Sequence, residues 1–414
     1  MKTRHIINFF IGSFAGSFIQ KEKKITKCQI VKPLSVFVHS KIIPYFCDMI
    51  IERISILNFK NIEEADLLFS PKMNYFFGNN GMGKTNLLDA LFYLSFTKNH
   101  TNLLDFQLIK HEEEFCVLQG YYRNNEAKDE VYCGIKHKQR KVFKRNKKEY
   151  DRLSEHIGLI PVVMISPADT ELIQGGSVER RKFADMIISQ YDKEYLRLLI
   201  HYNKVVQQRN SLLKERAGLP DNSLFEIFDE QLTSSGEIIH QKRKEFIDGF
   251  RPIFQKYHRA ISDGCESVDL QYDSHLDTLS LSKALKEKLD NDKILGYTSV
   301  GIHKDDFLFL LGNHLIRKIG SQGQNKTYLI ALKLAQFQFL LQKNTSVPIL
   351  LLDDIFDKLD ANRVERIIQL VTQEEFGQIF VTDTNRKYLD EILSGLKHDY
   401  KLFRVEEGKI KELQ

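Results

Sequence analysis

The residues best suited to chemistry lie at 78–85, where the sequence reads Gly-Asn-Asn-Gly-Met-Gly-Lys-Thr. This order matches the G-x-x-x-x-G-K-[ST] pattern of loops that cradle nucleotide phosphates. The glycines let the backbone turn tightly and bring its N–H groups against a triphosphate. Lys84 supplies a mobile positive charge, and the Thr85 hydroxyl suits Mg²⁺. The predicted nucleotide-binding residues are therefore Gly78, Asn79, Asn80, Gly81, Met82, Gly83, Lys84 and Thr85.

The flanking segments predict the elements that position this loop. Residues 74–77 form an apolar run that predicts a buried strand, and residues 86–95 place leucines at helical spacing. A strand, a glycine loop and a helix N-terminus together form an anion site. A chance match in a surface turn would lack this context.

A second set of candidate residues follows a run of four large aliphatic residues at 349–352. Such a run predicts a central parallel strand, and ligands bind at the carboxyl ends of these strands. Asp353 is then expected to face the Mg²⁺ held by Thr85, and Asp354 to orient or deprotonate the attacking water. A functionless Asp-Asp turn is the alternative, which the upstream phosphate loop disfavours.

A third loop contains Ser321, Gln322 and Gly323, just before a predicted helix at residues 326–342. A flexible loop at the positive end of a helix attracts an anion. Taken alone, it could equally be an ordinary N-cap. Its position between the other two motifs, which are about 270 residues apart, resembles the signature loop of ABC-type ATPases.

Composition limits the remaining possibilities. The 414 residues are 42% hydrophobic and 28% charged with a net charge of +5, so a DNA-binding surface must be a local patch. None of the five cysteines forms a C-x-x-C pair, which favours a reducing, cytoplasmic setting. The sequence has no run of apolar residues long enough to span a membrane. Residues 1–48 are expected to be an upstream extension with little order, and a targeting peptide is the alternative.

Four further segments resemble the RecF family of bacterial recombination mediators, within the ABC/SMC-like ATPase superfamily. They are residues 57–61 (Leu-Asn-Phe-Lys-Asn), 166–169 (Ser-Pro-Ala-Asp), 175–185 and 301–306 (Gly-Ile-His-Lys-Asp-Asp). Residues 357–360 resemble the family's D-loop. The sequence departs from the family at Val178 and Ile302, where proline is usual, and at Lys304, where arginine is usual.

This resemblance implies an α/β fold: an ABC-type P-loop ATPase head, with a mixed sheet and flanking helices, plus a helical insertion subdomain. The expected parts are an N-terminal ATPase lobe (49–175), the helical insertion (176–265) and a C-terminal ATPase lobe (266–414). Short strands are expected between residues 115 and 143. A loop near residues 218–220 is expected to separate two of the helices.

The resemblance also implies a function. Two subunits would close head to tail on ATP and Mg²⁺, each nucleotide lying between one phosphate loop and the other subunit's signature loop. The dimer would bind gapped DNA at single-strand/double-strand junctions and, with RecR and RecO, help to load RecA. Asp354 stands where transporter-type ABC ATPases carry glutamate, which implies slow hydrolysis that resets the dimer.

Two groups of basic residues are candidates for DNA contact. Lys141, Lys144 and Arg145 lie on a predicted hairpin that could contact phosphates. Arg180 and Arg181 lie near a predicted helix start. The alternatives are a solvated hairpin for the first group and ion pairs with Glu179 or Asp185 for the second.

Two other classes of protein share parts of this pattern. A condensin-type chromosome-structuring ATPase needs a long heptad coiled coil between its motifs, and the helical segment here is too short. An ABC-headed nuclease needs an additional acidic metal cluster. The only D-x-D sequence, Asp290 to Asp292, follows a predicted helix and is expected to be its end.

Overall fold

The computed structural model describes residues 47–413, except for residues 102, 126, 216–221, 265, 345, 357–358 and 385–399. The strands in this part are β1 (Cys47–Phe59), β2 (Ile62–Leu68), β3 (Met73–Phe77), β4 (Phe115–Asn124), β5 (Ala127–Lys136), β6 (Val142–Arg145), β7 (Lys148–Glu149), β8 (Val162–Ile165), β9 (Val268–Asp273), β10 (Asp306–Leu311), β11 (His314–Leu315), β12 (Ser346–Val347), β13 (Ile349–Asp353), β14 (Ile379–Asp383), β15 (Tyr400–Glu406) and β16 (Lys409–Leu413).

The helices lie between groups of these strands in the chain. They are α1 (Lys84–Phe96), α2 (Thr170–Gln174), α3 (Ser177–Tyr191), α4 (Lys193–Lys214), α5 (Asn222–Ser262), α6 (Leu281–Leu295), α7 (Ile316–Ile319), α8 (Gln322–Lys343) and α9 (Ala361–Val371). Among the described residues, no helix combines the length and the apolar character needed to cross a bilayer.

A six-stranded sheet positions the sequence motifs. Its order is β16-β15-β3-β14-β13-β8, and every neighbouring pair is parallel except β15 with β16. The strand before the phosphate loop, β3, is therefore separated by one strand from β13, which ends at Asp353. Because parallel strands all end at the same edge, the loop and the acidic pair meet there.

This sheet is covered on both faces, which explains why its central strands are continuous runs of apolar residues. Along β13, Leu350 and Leu352 face a cluster shared with α8 and the helices α3 to α6. Ile349 and Leu351 face a second cluster, shared with α1 and the strands of a mostly antiparallel sheet in which the β1–β12 pair is parallel. That seven-stranded sheet has the order β12-β1-β4-β5-β6-β7, with β2 paired to β1.

The described residues of the helical segment share their hydrophobic core with α8. The buried residues Phe250 and Phe254 on α5 belong to the same hydrophobic cluster as Tyr328 and Phe339 on α8. The α/β fold and the elements predicted around the motifs are confirmed, and the predicted helix after residue 326 begins earlier, at Gln322. The expectations for residues 1–46, 218–220 and 357–358 fall outside the described residues. The three-part division of the chain remains a proposal.

A buried cation joins three helices of this segment. Arg209 on α4 is fully buried, and its guanidinium contacts Asp229 on α5 at 2.9 Å and Asp292 on α6 at 2.8 Å. Asp292 also accepts hydrogen bonds from the backbone and hydroxyl of Ser299. The D-x-D sequence at 290–292 therefore lies in the last two turns of α6, with Asp292 serving an ion pair.

Replacing Arg209 with alanine should lower the free energy of unfolding by about 3–5 kcal/mol, because two buried carboxylates would lose their partner. Arg197 is exposed on the same helix, and its replacement with alanine should change stability by less than about 0.5 kcal/mol. Urea unfolding followed by circular dichroism measures both. Similar losses in the two variants would contradict a stabilising role for the buried pair.

Candidate nucleotide-binding site

The loop at residues 78–85 runs from β3 to α1 and depends on glycine at two positions. Gly83 caps α1 with φ 111°, in the left-handed region that other residues rarely adopt. A Cβ on Gly78 would lie 2.2 Å from the backbone oxygen of Val405 on β15. The loop can therefore follow this path only because these two residues lack a side chain.

Four residues outside the motif hold the loop in place. A Cβ on Gly83 would lie 2.7 Å from Oδ1 of Asn61, and the same oxygen accepts a 2.7 Å hydrogen bond from Asn86. The Gly408 amide donates to the Met82 oxygen at 2.8 Å, and the Glu407 amide to Met82 Sδ at 3.3 Å. Asn61 thus supports the phosphate loop, and so does the β15–β16 turn at Glu407 and Gly408, which was not identified from the sequence.

Lys84 lies where its charge can reach a phosphate. Only 4% of its side chain is exposed, and Nζ donates to the backbone oxygens of Gly78 at 2.8 Å and Asn79 at 3.2 Å. The ammonium group is therefore folded back over the loop, while Asn80 and Gly81 at its tip are exposed. A triphosphate would exchange these two carbonyl contacts for stronger bonds to anionic oxygens.

Asp353 is brought to the phosphate loop. Its two oxygens accept hydrogen bonds from the Thr85 hydroxyl at 3.0 and 2.9 Å, and Oδ1 accepts another from Thr382 at 2.7 Å. Burial raises the pKa of the Asp353 carboxyl, and so does the nearby Asp354, while the two threonine hydroxyls lower it. Since no cation pairs with Asp353 in the described part of the chain, this buried carboxylate and the Thr85 hydroxyl fit a divalent metal such as Mg²⁺.

Asp354 follows in a left-handed conformation, with φ 44°. Its amide donates to the backbone oxygen and the hydroxyl of Thr382, and its carboxylate lies 3.9 Å from Lys84 Nζ. Non-glycine residues are strained in this region, and such strain is often found at functional sites. Thr382, which the sequence left without a role, therefore orients both aspartates.

The loop that contains Ser321, Gln322 and Gly323 reaches the same cleft from the other side. Ser321 is exposed and caps α8 by accepting a hydrogen bond from the Gln324 amide at 3.2 Å. Beside it, a cleft of about 730 Å³ extends from Gln322 to Asp353, Asp354 and Asn80. Gly323, Ser321 and Gln322 thus lie on the rim of one subunit, where a second subunit could also approach them.

The basic hairpin offers fewer free charges than its sequence suggests. Lys141 is mostly buried, with Nζ 3.0 Å from Asp105 and 2.9 Å from the hydroxyl of Tyr93. Arg145 forms two hydrogen bonds to Asp129, at 3.0 and 2.7 Å. Lys144 is half-buried above the ring of Tyr132, 5.9 Å from its centre. The exposed cations of this region are Lys136, Lys138, Arg140, Lys147 and Lys148.

The two arginines at 180 and 181 are bound inside the protein. Arg180 is 4% exposed and contacts both carboxylate oxygens of Asp306, at 2.8 and 2.9 Å. Arg181 donates to the backbone oxygen of Asp305 at 2.5 Å. The ion-pair partner of Arg180 is thus neither Glu179 nor Asp185, whereas the charge of Asp185 does act on Arg181. The geometry makes Arg180 a structural residue that joins α3 to β10, rather than a surface contact for DNA.

Comparison with known proteins agrees with this arrangement. The sequence model of the family described as "RecF/RecN/SMC N terminal domain" matches residues 50–411. A protein of Azobacteroides pseudotrichonymphae named "DNA replication and repair protein RecF" is 66% identical over 365 residues, which are 88% of this chain and 100% of that protein.

The chain belongs to the RecF family. A solved structure of the recombination mediator protein RecF with ATP superposes with a TM-score of 0.81 at 30% identity, covering 89% of this chain and 99% of that one. An Smc head bound to a domain of ScpA superposes with a TM-score of 0.54 at 16% identity, which shows the shared fold alone. The expected ABC/SMC-like head is confirmed.

The nuclease alternative finds no support among the residues described for this RecF-family chain. No group of three or more His, Cys, Asp or Glu side chains there is arranged to hold a metal ion. Asp292, the one candidate of the D-x-D sequence with a buried carboxylate, is paired with Arg209.

The two adjacent aspartates should respond differently to removal of their charge. With Asp353→Asn, we expect the Mg²⁺-dependent part of ATP affinity to fall by about 10–100-fold, because an amide oxygen is a weaker ligand. Asp354→Asn, the matched control, should keep that affinity and lose hydrolysis. Titration of a fluorescent ATP analogue with Mg²⁺ or with EDTA separates the effects. Loss of Mg²⁺ dependence in both variants alike would contradict distinct roles.

Proposed function

We propose that this chain is an ATP-gated DNA-binding protein of recombinational repair and replication restart. The observation that carries the proposal is the meeting of Lys84, Thr85, Asp353 and Asp354 at one sheet edge in a chain of the RecF family. Similarity to a RecF structure with ATP, described as part of the RecFOR pathway, supports the same conclusion.

ATP and Mg²⁺ are the proposed ligands. On binding, Lys84 would leave the carbonyls of Gly78 and Asn79 for the terminal phosphates, and the Thr85 hydroxyl would leave Asp353 for the metal. The bound metal would supply charge neutralisation at the β- and γ-phosphates. Asp354 would orient the attacking water. Its short side chain holds that water less firmly than glutamate, so we propose slow hydrolysis and a mainly switch-like use of ATP.

The switch is proposed to be dimerisation. The Ser321 loop is exposed on the rim of the cleft, so it is available to a nucleotide bound by a second copy of the chain. A helix N-terminus adds favourable charge opposite a γ-phosphate. ATP would then stabilise the dimer because its charge is shared by groups from both subunits.

The proposed partners follow from the family. The dimer would bind gapped duplex at single-strand/double-strand junctions, act with RecR and RecO, and help to load RecA, in the cytoplasm near the nucleoid. The binding surface would contact phosphates without reading sequence. Among the original candidates only Lys144 stays available, together with the exposed cations at Lys138, Arg140, Lys147 and Lys148.

Removing the loop cation tests the dimer. Lys84→Ala should reduce the dimer fraction at saturating ATP to that seen without ATP, because the triphosphate loses its main counter-charge. Lys204→Ala, an exposed change on α4, should behave as the parent. Analytical ultracentrifugation with and without ATP and gapped duplex measures this. A Lys84→Ala chain that still dimerises on ATP would end the sandwich proposal.

Charge reversal tests the DNA surface without touching the buried cations. Lys144→Glu combined with Lys147→Glu and Lys148→Glu should weaken DNA binding and reduce the salt slope by about 0.9 for each phosphate that is no longer neutralised. The control reverses three exposed lysines of α6, Lys283, Lys286 and Lys288, for the same change in net charge. Salt titrations of gapped-duplex binding compare the two. Equal salt slopes for both triple variants would exclude the hairpin.

A further inference from the structure

The helix that follows the acidic pair also contacts the signature loop. Helix α9 begins after Asp360, whose carboxylate accepts a hydrogen bond from the Arg363 amide at 3.0 Å. The Arg363 guanidinium lies beside the same carboxylate, with Nε 3.2 Å from it. Only six positions separate Asp354 from Asp360 in the sequence. Arg363 is thus held at the N-terminus of α9, a few residues after the acidic pair in the sequence.

The far end of Arg363 reaches α8. Nη1 donates to the hydroxyl of Thr327 at 3.0 Å, and Thr327 is fully buried in the second turn of α8. A Cβ on Gly323 would lie 3.2 Å from this same nitrogen. That distance is tighter than ordinary van der Waals contact, so glycine at position 323 leaves the room that the guanidinium occupies.

We infer that Arg363 is a positioning residue for the signature loop: it fixes the first turns of α8 against α9, and so sets the spacing between the signature loop and the acidic pair of one subunit. The inference rests on the proposed ATP sandwich. It adds that Gly323 makes room for this arginine.

The spacing matters because of symmetry. In a twofold sandwich, each nucleotide uses the acidic pair of one subunit and the signature loop of the other. Both sites can close together only if these two features stand at a matching distance within each subunit. A loosened loop would have to be ordered again at each closure, and that ordering would weaken dimerisation without changing how one subunit holds its own nucleotide.

A side-chain change at Arg363 separates these effects. Arg363→Gln should leave the ATP affinity of the monomer within about twofold, because the residue does not touch the phosphate loop. Loss of a charged hydrogen bond should lower the association constant of the dimer about tenfold for each nucleotide site. With two sites, the dimer should therefore weaken by about a hundredfold. The dimer affinity of Arg363→Lys, which keeps the charge but not the planar group, should lie between those of the parent and of Arg363→Gln. Fluorescent-ATP titration and analytical ultracentrifugation give the two quantities.

Matched variants locate the effect. Arg366 lies on the same helix and pairs with Asp263 at the end of α5, so Arg366→Gln should dimerise within a fewfold of the parent. Gly323→Ala should weaken dimerisation by displacing the guanidinium. In an Arg363→Ala background the same glycine change should weaken dimerisation less than it does in the parent, since neighbours in contact are not additive and only the direct effect of the added methyl group on the loop remains. Effects of Gly323→Ala and Arg363→Ala that simply multiply would overturn the inference.

A measurement on the monomer keeps this inference distinct from the dimer proposal. Amide hydrogen exchange without nucleotide should be faster at residues 323–327 in Arg363→Gln than in the parent, while residues 335–341 of the same helix exchange at the parent rate. If the parent chain does not dimerise on ATP, the proposed ATP sandwich is wrong, but the exchange measurement on the monomer still tests whether Arg363 orders the start of α8. Unchanged exchange at residues 323–327, or a parent-like dimer of Arg363→Gln, would overturn the role assigned to Arg363.

Discussion

The carboxyl edge of the six-stranded sheet is the constraint on which the nucleotide site depends. Phe77 pairs with Asp383, and Thr382 with Asp353, across three adjacent parallel strands. A slip of one residue would turn every side chain of a strand to the opposite face. Because β13 is buried on both faces, each face demands its own set of aliphatic residues. The packing that stabilises the sheet therefore also fixes where the acidic pair meets the phosphate loop.

Buried ion pairs connect the helices to one another and to the segments beside the sheets. Lys333 on α8 contacts Asp169 at 2.6 Å, and Asp169 lies 3.2 Å from His100, just beyond α1. Arg243 on α5 contacts Asp185 on α3 and Asp305 beside β10. Breaking a buried pair leaves an uncompensated charge, so these contacts resist separate movement of the elements they join. Two basic residues of the family-like segments form such buried pairs, Lys60 with Asp89 and Arg180 with Asp306.

Sequence patterns predicted the strand–loop–helix unit, the strand before Asp353 and the cap of α8, because local spacing determines each of them. The partners of Arg180 could not be predicted, since Asp306 is 126 positions away and no periodicity links the two. The burial of Lys141 was missed for a related reason. Its partner Asp105 is distant in the sequence, and a lysine-rich hairpin without that partner is expected to be exposed to solvent. The bond from Thr382 to Asp353 could not be predicted either, because it depends on the order of the strands in the sheet, which local spacing does not determine.

The support of the phosphate loop by the β15–β16 turn has a consequence for synthesis on the ribosome. Val405 and Gly408 contact the loop from more than 320 positions downstream. Until β15 and β16 emerge from the exit tunnel, the loop lacks the contacts that shape it. A nascent chain that stops before residue 400 therefore lacks part of the support of its phosphate loop.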